Sequence, residues 1–85
     1  ERLFSPRQLA RLARISTTVE CECPQHLAGL LQGLAAFEKY SSECEDRNPA
    51  DAALHSFLHR TTAAVRRSME EALDYVVQAE GLSVE

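Results

Sequence analysis

Glu45-Asp46-Arg47-Asn48-Pro49-Ala50-Asp51 is the stretch that decides the fold. Its first three residues form a polar turn. Asn48 is a helix N-cap, Pro49 brings the φ angle that a first helical position needs, and Asp51 sets a negative charge at the positive end of the helix. A long stretch of apolar periodicity lies on each side of this turn. Two helices joined by so short a connection fold back as an antiparallel hairpin.

Downstream of the turn, Leu54, Leu58, Thr61, Val65, Met69, Ala72, Leu73 and Val76 make a long apolar stripe, and Gly81 supplies a stop. Roughly thirty residues at about 1.5 Å each give a helix about 45 Å long. Upstream, a helix is expected from Pro24 to Glu43 or Glu45. Its seam is Leu27, Leu30, Leu34, Phe37, Ser41 and Cys44, at spacings 3, 4, 3, 4, 3, with Leu31 broadening it. The downstream helix is the longer of the two, so part of it must lean on a further helix or on another subunit.

Further upstream, Ser5 and Pro6 start a third, shorter helix. Leu9, Leu12 and Ile15 form its apolar face, while Arg7, Arg11 and Arg14 line another face at i, i+4, i+7. The β-branched run Thr17-Thr18-Val19 weakens it, and Glu20 to Cys23 read as a short extended connection. No strand signal and no repeat is present. The expectation is an all-α chain of three helices, with helices 2 and 3 as a long antiparallel hairpin. The apolar surface left over favours a dimeric bundle.

Eighty-five residues make one small domain. The chain begins at Glu1 instead of Met, which suggests a piece of a longer protein. No segment resembles a signal peptide, and no apolar run approaches the roughly 18 residues a membrane span requires. Three cysteines cannot all pair within one chain, which argues against a secreted disulfide scaffold and for a reducing cytoplasm. Charge is segregated. Residues 1–19 carry four arginines against one glutamate, whereas residues 20–85 carry five basic and twelve acidic side chains. A basic connecting segment on an acidic hairpin fits an element that faces nucleic acid, attached to one that does not.

Cys21, Cys23 and His26 offer three metal ligands within six residues, a half-site for a transition metal such as zinc. Glu70, Glu71 or Asp74 of the downstream helix could complete it. A second reading is redox: Cys23 at the helix N-cap would have its thiolate stabilised. A third is that the cysteines only pack. Cys44 is excluded from this site, because eighteen residues of helix put it roughly 27 Å from His26. His55 and His59, at i, i+4, can chelate a metal or line a small-ligand site, with Cys44 and Glu38 approaching from the preceding helix. The arginine row is a candidate phosphate-binding face. No glycine-rich phosphate loop or catalytic constellation stands out, so an enzyme is the least favoured class.

Arg2-Leu3-Phe4-Ser5-Pro6-Arg7-Gln8-Leu9-Ala10-Arg11-Leu12-Ala13-Arg14-Ile15 resembles a segment of MerR-type transcription regulators. There an arginine and an aromatic leave the wing of a winged helix-turn-helix, and a Leu-x-x-Leu-x-x-Ile helix follows. Arg2, Phe4, Leu9, Leu12 and Ile15 match that pattern. Cys21-Glu22-Cys23-Pro24-Gln25-His26-Leu27, followed by Phe37-Glu38-Lys39-Tyr40-Ser41, resembles a helical region of such regulators. In those proteins the sensing cysteines lie at the end of a long dimerisation helix, whereas here they precede helix 2. The resemblance implies a dimerisation and effector-sensing module over residues 20–85. It also implies a DNA-binding head upstream of residues 1–19, with Arg2, Arg7, Arg11 and Arg14 near DNA. The alternatives from other classes are a freestanding metal- or ligand-binding helical protein and a pure interaction module.

Overall fold

A computed structural model describes residues 2–15 and 22–83. It contains three helices, α1 (Pro6–Arg14), α2 (Cys23–Glu43) and α3 (Pro49–Glu80). The weakening expected at Thr17-Thr18-Val19, and the first half of the connection expected at Glu20 to Cys23, Cys21 included, lie outside the described residues.

Local chemistry sets each boundary. At α1 the Ser5 hydroxyl accepts from the Gln8 amide at 3.1 Å, and the Gln8 side chain accepts from the Ser5 amide at 2.9 Å. This is a reciprocal capping box with Pro6 at the first helical position. Arg11 and Arg14 occupy the last turn, where the helix end is negative. At α3 the Asn48 side chain accepts from the Asp51 amide at 2.8 Å, and Arg47 Nε donates to Asp51 Oδ2 at 2.8 Å. That side-chain bond from Arg47, helped by its backbone amide, holds the Asp51 carboxyl below its ordinary range. Gly81 closes the helix at φ 64°, a left-handed conformation that a β-carbon disfavours. Leu82 then donates back to the Val77 carbonyl at 3.0 Å and packs on the core. Asn48→Ala is expected to cost about 1 kcal/mol and lower the thermal midpoint by about 4–8 °C, read by circular dichroism.

The start of α2 differs by one residue from the sequence expectation. Glu22 is the N-cap, without a side-chain cap, and Cys23 is the first helical residue. α2 and α3 form the antiparallel hairpin, since Glu38 meets Arg66 while Ser41, Cys44, Asp46, Ala52 and His55 cluster at the turn. α1 runs antiparallel to α2. Pro6 lies beside Ala35 and Lys39, and at the other end the Gln25 side-chain amide donates to the Ile15 carbonyl.

One core joins all three helices: Phe4, Leu9, Leu12, Ala28, Leu31, Leu73 and Val77 are buried, with Leu27, Leu34 and Met69 flanking them. Residues 1–19 and 20–85 therefore do not carry separate cores. The packing line corrects the seams read from sequence. α2 buries Pro24, Ala28, Leu31, Glu38 and Ser41, and α3 buries Thr62, Arg66, Glu70, Leu73 and Val77. Each helix is turned by about one residue, or 100°, from the predicted orientation. Leu31 is fully buried while its neighbour Leu30 is 56% exposed. The physical reason is α1. α1 packs directly on α2, and Phe4, Leu9 and Leu12 join Ala28, Leu31, Leu73 and Val77 in one core, so the line of each long helix that reaches this core is the one that is buried.

Candidate functional site

Beyond Leu31 and Leu73, the line between the two long helices becomes polar. Arg66 and Glu70 are 3% and 1% exposed, and Glu38 is nearly as buried. Arg66 Nε donates to Glu38 Oε1 at 2.7 Å, Nη2 to Glu38 Oε2 at 3.4 Å, and Nη1 to Glu70 Oε1 at 2.9 Å. The guanidinium thus forks onto one carboxylate across the hairpin and reaches a second one turn along its own helix. The same two carboxylates hold the segment ahead of α1. Leu3 donates its backbone N–H to Glu70 Oε2 at 3.1 Å, and Arg2 Nη2 lies 3.4 Å from Glu38 Oε1. Two cations and two anions close a neutral cluster, which is how charge survives burial.

Burial by itself pushes the Glu38 carboxyl up. The Arg66 hydrogen bond and charge, with Arg2 and His59 behind them, outweigh it and hold the group below its ordinary value. The Arg66 guanidinium is raised, first by its bond to Glu38, against the cost of burial. A carboxyl depressed in the fold contributes stability above its unfolded pKa, and that contribution is lost as pH falls through the folded value. Urea midpoints are therefore expected to decline below about pH 4.5, with a shallower decline in Glu38→Gln. Equal slopes in the two proteins would remove Glu38 from the acid response.

The sequence-derived candidates are distributed as follows. Cys23 and His26 are exposed on the first turn of α2, and His26 Nε2 lies 3.4 Å from Glu22. Cys23 sits at the first helical position and not at the cap, which corrects the assumption behind its thiolate reading. Glu70, offered as a completing metal ligand, is instead turned inwards with both oxygens engaged. Among the described residues no three histidine, cysteine or carboxylate side chains converge in a way that could hold a metal.

His55 and His59 lie with Cys44 around a cavity of about 200 Å³ near the turn, while the Glu38 side chain, also expected there, is bound to Arg66 instead. His55 Nδ1 donates to Asp46 Oδ1 at 2.8 Å, and His59 Nδ1 donates to the Glu38 carbonyl at 3.0 Å. Arg7, Arg11 and Arg14 are exposed along α1. Arg2, grouped with them in the DNA-facing set, lies ahead of α1 and turns to Glu38, so its charge serves the cluster as well as the surface.

The seams predicted from sequence survive as a surface. At 100° per residue, Ala35 and Lys39 lie on the α1 side of the Leu31–Glu38 line, and Leu30, Leu34, Phe37 and Ser41 lie towards the other. On α3 the side opposite Arg67 and Glu71, which border Leu3, carries Leu54, Leu58, Thr61, Val65, Met69, Ala72 and Val76. The two stripes together face away from α1, with Leu54 at 52%, Phe37 at 41% and Val65 at 43% exposure. None of their residues is charged. Phe37 stacks obliquely on Tyr40, ring centres 6.2 Å apart, at the edge of this surface.

Sequence reasoning missed the Glu38–Arg66–Glu70 cluster. The available signal was an Arg/Glu pair at i, i+4 in line with Thr62, Leu73 and Val77, on a stripe that reads as solvated when the neighbouring one is more apolar. Among the described residues no helix is long and apolar enough to cross a membrane. Comparison with protein-family models, curated proteins and solved structures returned no match.

Proposed function

We propose that this chain is the dimerisation and effector-sensing module of a cytoplasmic DNA-binding transcription regulator, of the MerR-like kind that residues 2–15 resemble. The observation that carries the reading is the uncharged, half-open apolar face spanning α2 and α3. The molecule is 52 Å long and 18–20 Å across. One side of it therefore offers roughly 1,000 Å², against the roughly 800 Å² per partner of a standard stable interface. A second copy is the natural occupant, because an uncharged stripe repeated on both partners needs no complementary charge and closes on itself about a two-fold axis.

The same arrangement supports the DNA-binding role. α1 lies on the opposite side, so a dimer leaves both Arg7-Arg11-Arg14 rows exposed to solvent or phosphate. Arg2 and Leu3, clamped to Glu38 and Glu70, fix the path by which an upstream head would join the hairpin. The chemistry acts by assembly and transmission, with no enzymatic step.

Light scattering after size exclusion tests the first half of the proposal. A particle of twice the 9.5 kDa chain mass is expected, and a strict monomer at high concentration overturns it. The second half requires a helix-turn-helix encoded directly ahead of Glu1; a different domain there removes the regulator reading.

A further inference from the structure

We infer that the cleft between the start of α1 and the middle of α2 binds a small organic monoanion with an apolar body, such as an aryl carboxylate. The cleft is open to solvent on one side and spans about 580 Å³, within the range of roughly 300–1,000 Å³ typical of small-molecule sites. Pro6, Ala35 and Ala36 give it an apolar floor, and Arg2, Lys39, Ser42 and His59 stand around it. Such a lining suits a ligand with a flat apolar body and one polar end.

The sign of that end follows from the geometry of Glu38, the one carboxylate in the lining. Its best bond goes to Arg66 at 2.7 Å, and Arg2 holds it only at 3.4 Å. Charge-assisted N–H to carboxylate bonds are usually about 2.7–2.9 Å, so Arg2 retains donors for a better acceptor. Lys39 stands 4.0 Å from Glu43, both largely exposed, a contact worth little. Among the side chains that line the cleft, two are cationic, Arg2 and Lys39, and one is a carboxylate, Glu38, which leaves one positive charge in excess in the lining itself. An anion meets that excess, whereas a cation would compete with Arg2 and Lys39.

Anion capture would hold Arg2, and hence the segment leading into α1, which is where a sensing module would pass its signal on. Only this last link rests on the regulator reading; the binding itself does not. The cleft lies on the α1 side, away from the self-association face, so the two are read separately.

The test is a titration of the ¹⁵N-labelled chain with benzoate, followed by amide shifts, with benzylamine and benzyl alcohol as charge controls. Benzoate is expected to shift Ala35, Ala36, Lys39 and Ser42 saturably, with a Kd in the millimolar range, and the controls are not. Lys39→Glu, at an exposed position, should weaken benzoate at least fivefold, and Arg2→Gln should do the same with the helical circular dichroism retained. Absence of saturable shifts from benzoate overturns the inference. So do equal shifts from benzyl alcohol, which would make the cleft merely apolar, or undiminished binding in Lys39→Glu. A dimer that ignores benzoate would sink this inference and leave the proposed assembly intact.

Discussion

Arg66→Met is expected to destabilise the chain by about 3–5 kcal/mol. The methionine fills much of the same space, so the loss is electrostatic and not a cavity effect. Among the described residues Arg66 alone touches both buried carboxylates through its side chain, at 2.7 and 2.9 Å. Without it Glu38 keeps only the long contact to Arg2, and Glu70 keeps the Leu3 amide. Two like charges then share a dry site with one distant cation. At about 4–8 °C per kcal/mol for a domain of this size, the thermal midpoint should fall by at least about 12 °C.

The variant also carries its own signature. Burial without a partner raises a carboxyl pKa in the folded state, so stability should increase as pH falls through that raised value. Arg66→Met should therefore be more stable at mildly acidic pH than at pH 8, the reverse of the parent's acid response. Removing the charges together should be far milder. Glu38→Met/Arg66→Met/Glu70→Gln keeps an acceptor for the Leu3 amide and leaves no buried ion, and is expected to recover most of the loss. A loss under about 1 kcal/mol for Arg66→Met would mean that water reaches the cluster in solution.

What the sequence disclosed and what it hid divide along a physical line. Helix boundaries depend on neighbours within one turn, and Ser5-Pro6, Asn48-Pro49 and Gly81 stated them correctly. The hairpin followed from the short polar turn at residues 45–47. The phase of packing depends on partners far away in sequence, and there the reading slipped by a residue. Leu30, Phe37, Leu54 and Val65 make the stronger periodic pattern, so they look like the inner seam. In the chain they stand outside, and Glu38, Arg66 and Glu70 stand within. Hydrophobic periodicity reports that a stripe favours burial, not which surface covers it. The buried charges escaped notice because an i, i+4 Arg/Glu pair looks the same on a solvated face. Arg2 was read with Arg7, Arg11 and Arg14 as a residue near DNA, and only the three-dimensional path ahead of Ser5 turns it towards Glu38. The cysteine cluster remains half visible, with Cys23 and His26 exposed and Cys21 outside the described residues.

That slip in phase motivates the second large prediction. If the stripe is covered by another copy, Phe37→Glu/Val65→Glu should convert a dimer into a monomer without unfolding it. Both side chains are more than two-fifths exposed within the chain, so glutamate there meets water in the monomer. In the dimer the same glutamates enter an uncharged interface with no cation to meet them. Burying an apolar side chain of this size is worth about 1.5–3 kcal/mol, and an unpaired charge in its place adds a desolvation cost. About a two-fold axis each substitution is felt twice. The dimer Kd should rise at least about 100-fold, near 2.7 kcal/mol, read by sedimentation equilibrium. Helical circular dichroism and the acid response of Glu38 should stay as in the parent, because the cluster and the α1 core lie on the other side of the hairpin. Gln32→Glu, which adds negative charge on the α1 side of α2, should leave the dimer intact. If both variants weakened association equally, net charge and not the apolar face would govern it. If Phe37→Glu/Val65→Glu remained dimeric, two copies would meet elsewhere and the exposed stripe would have another occupant.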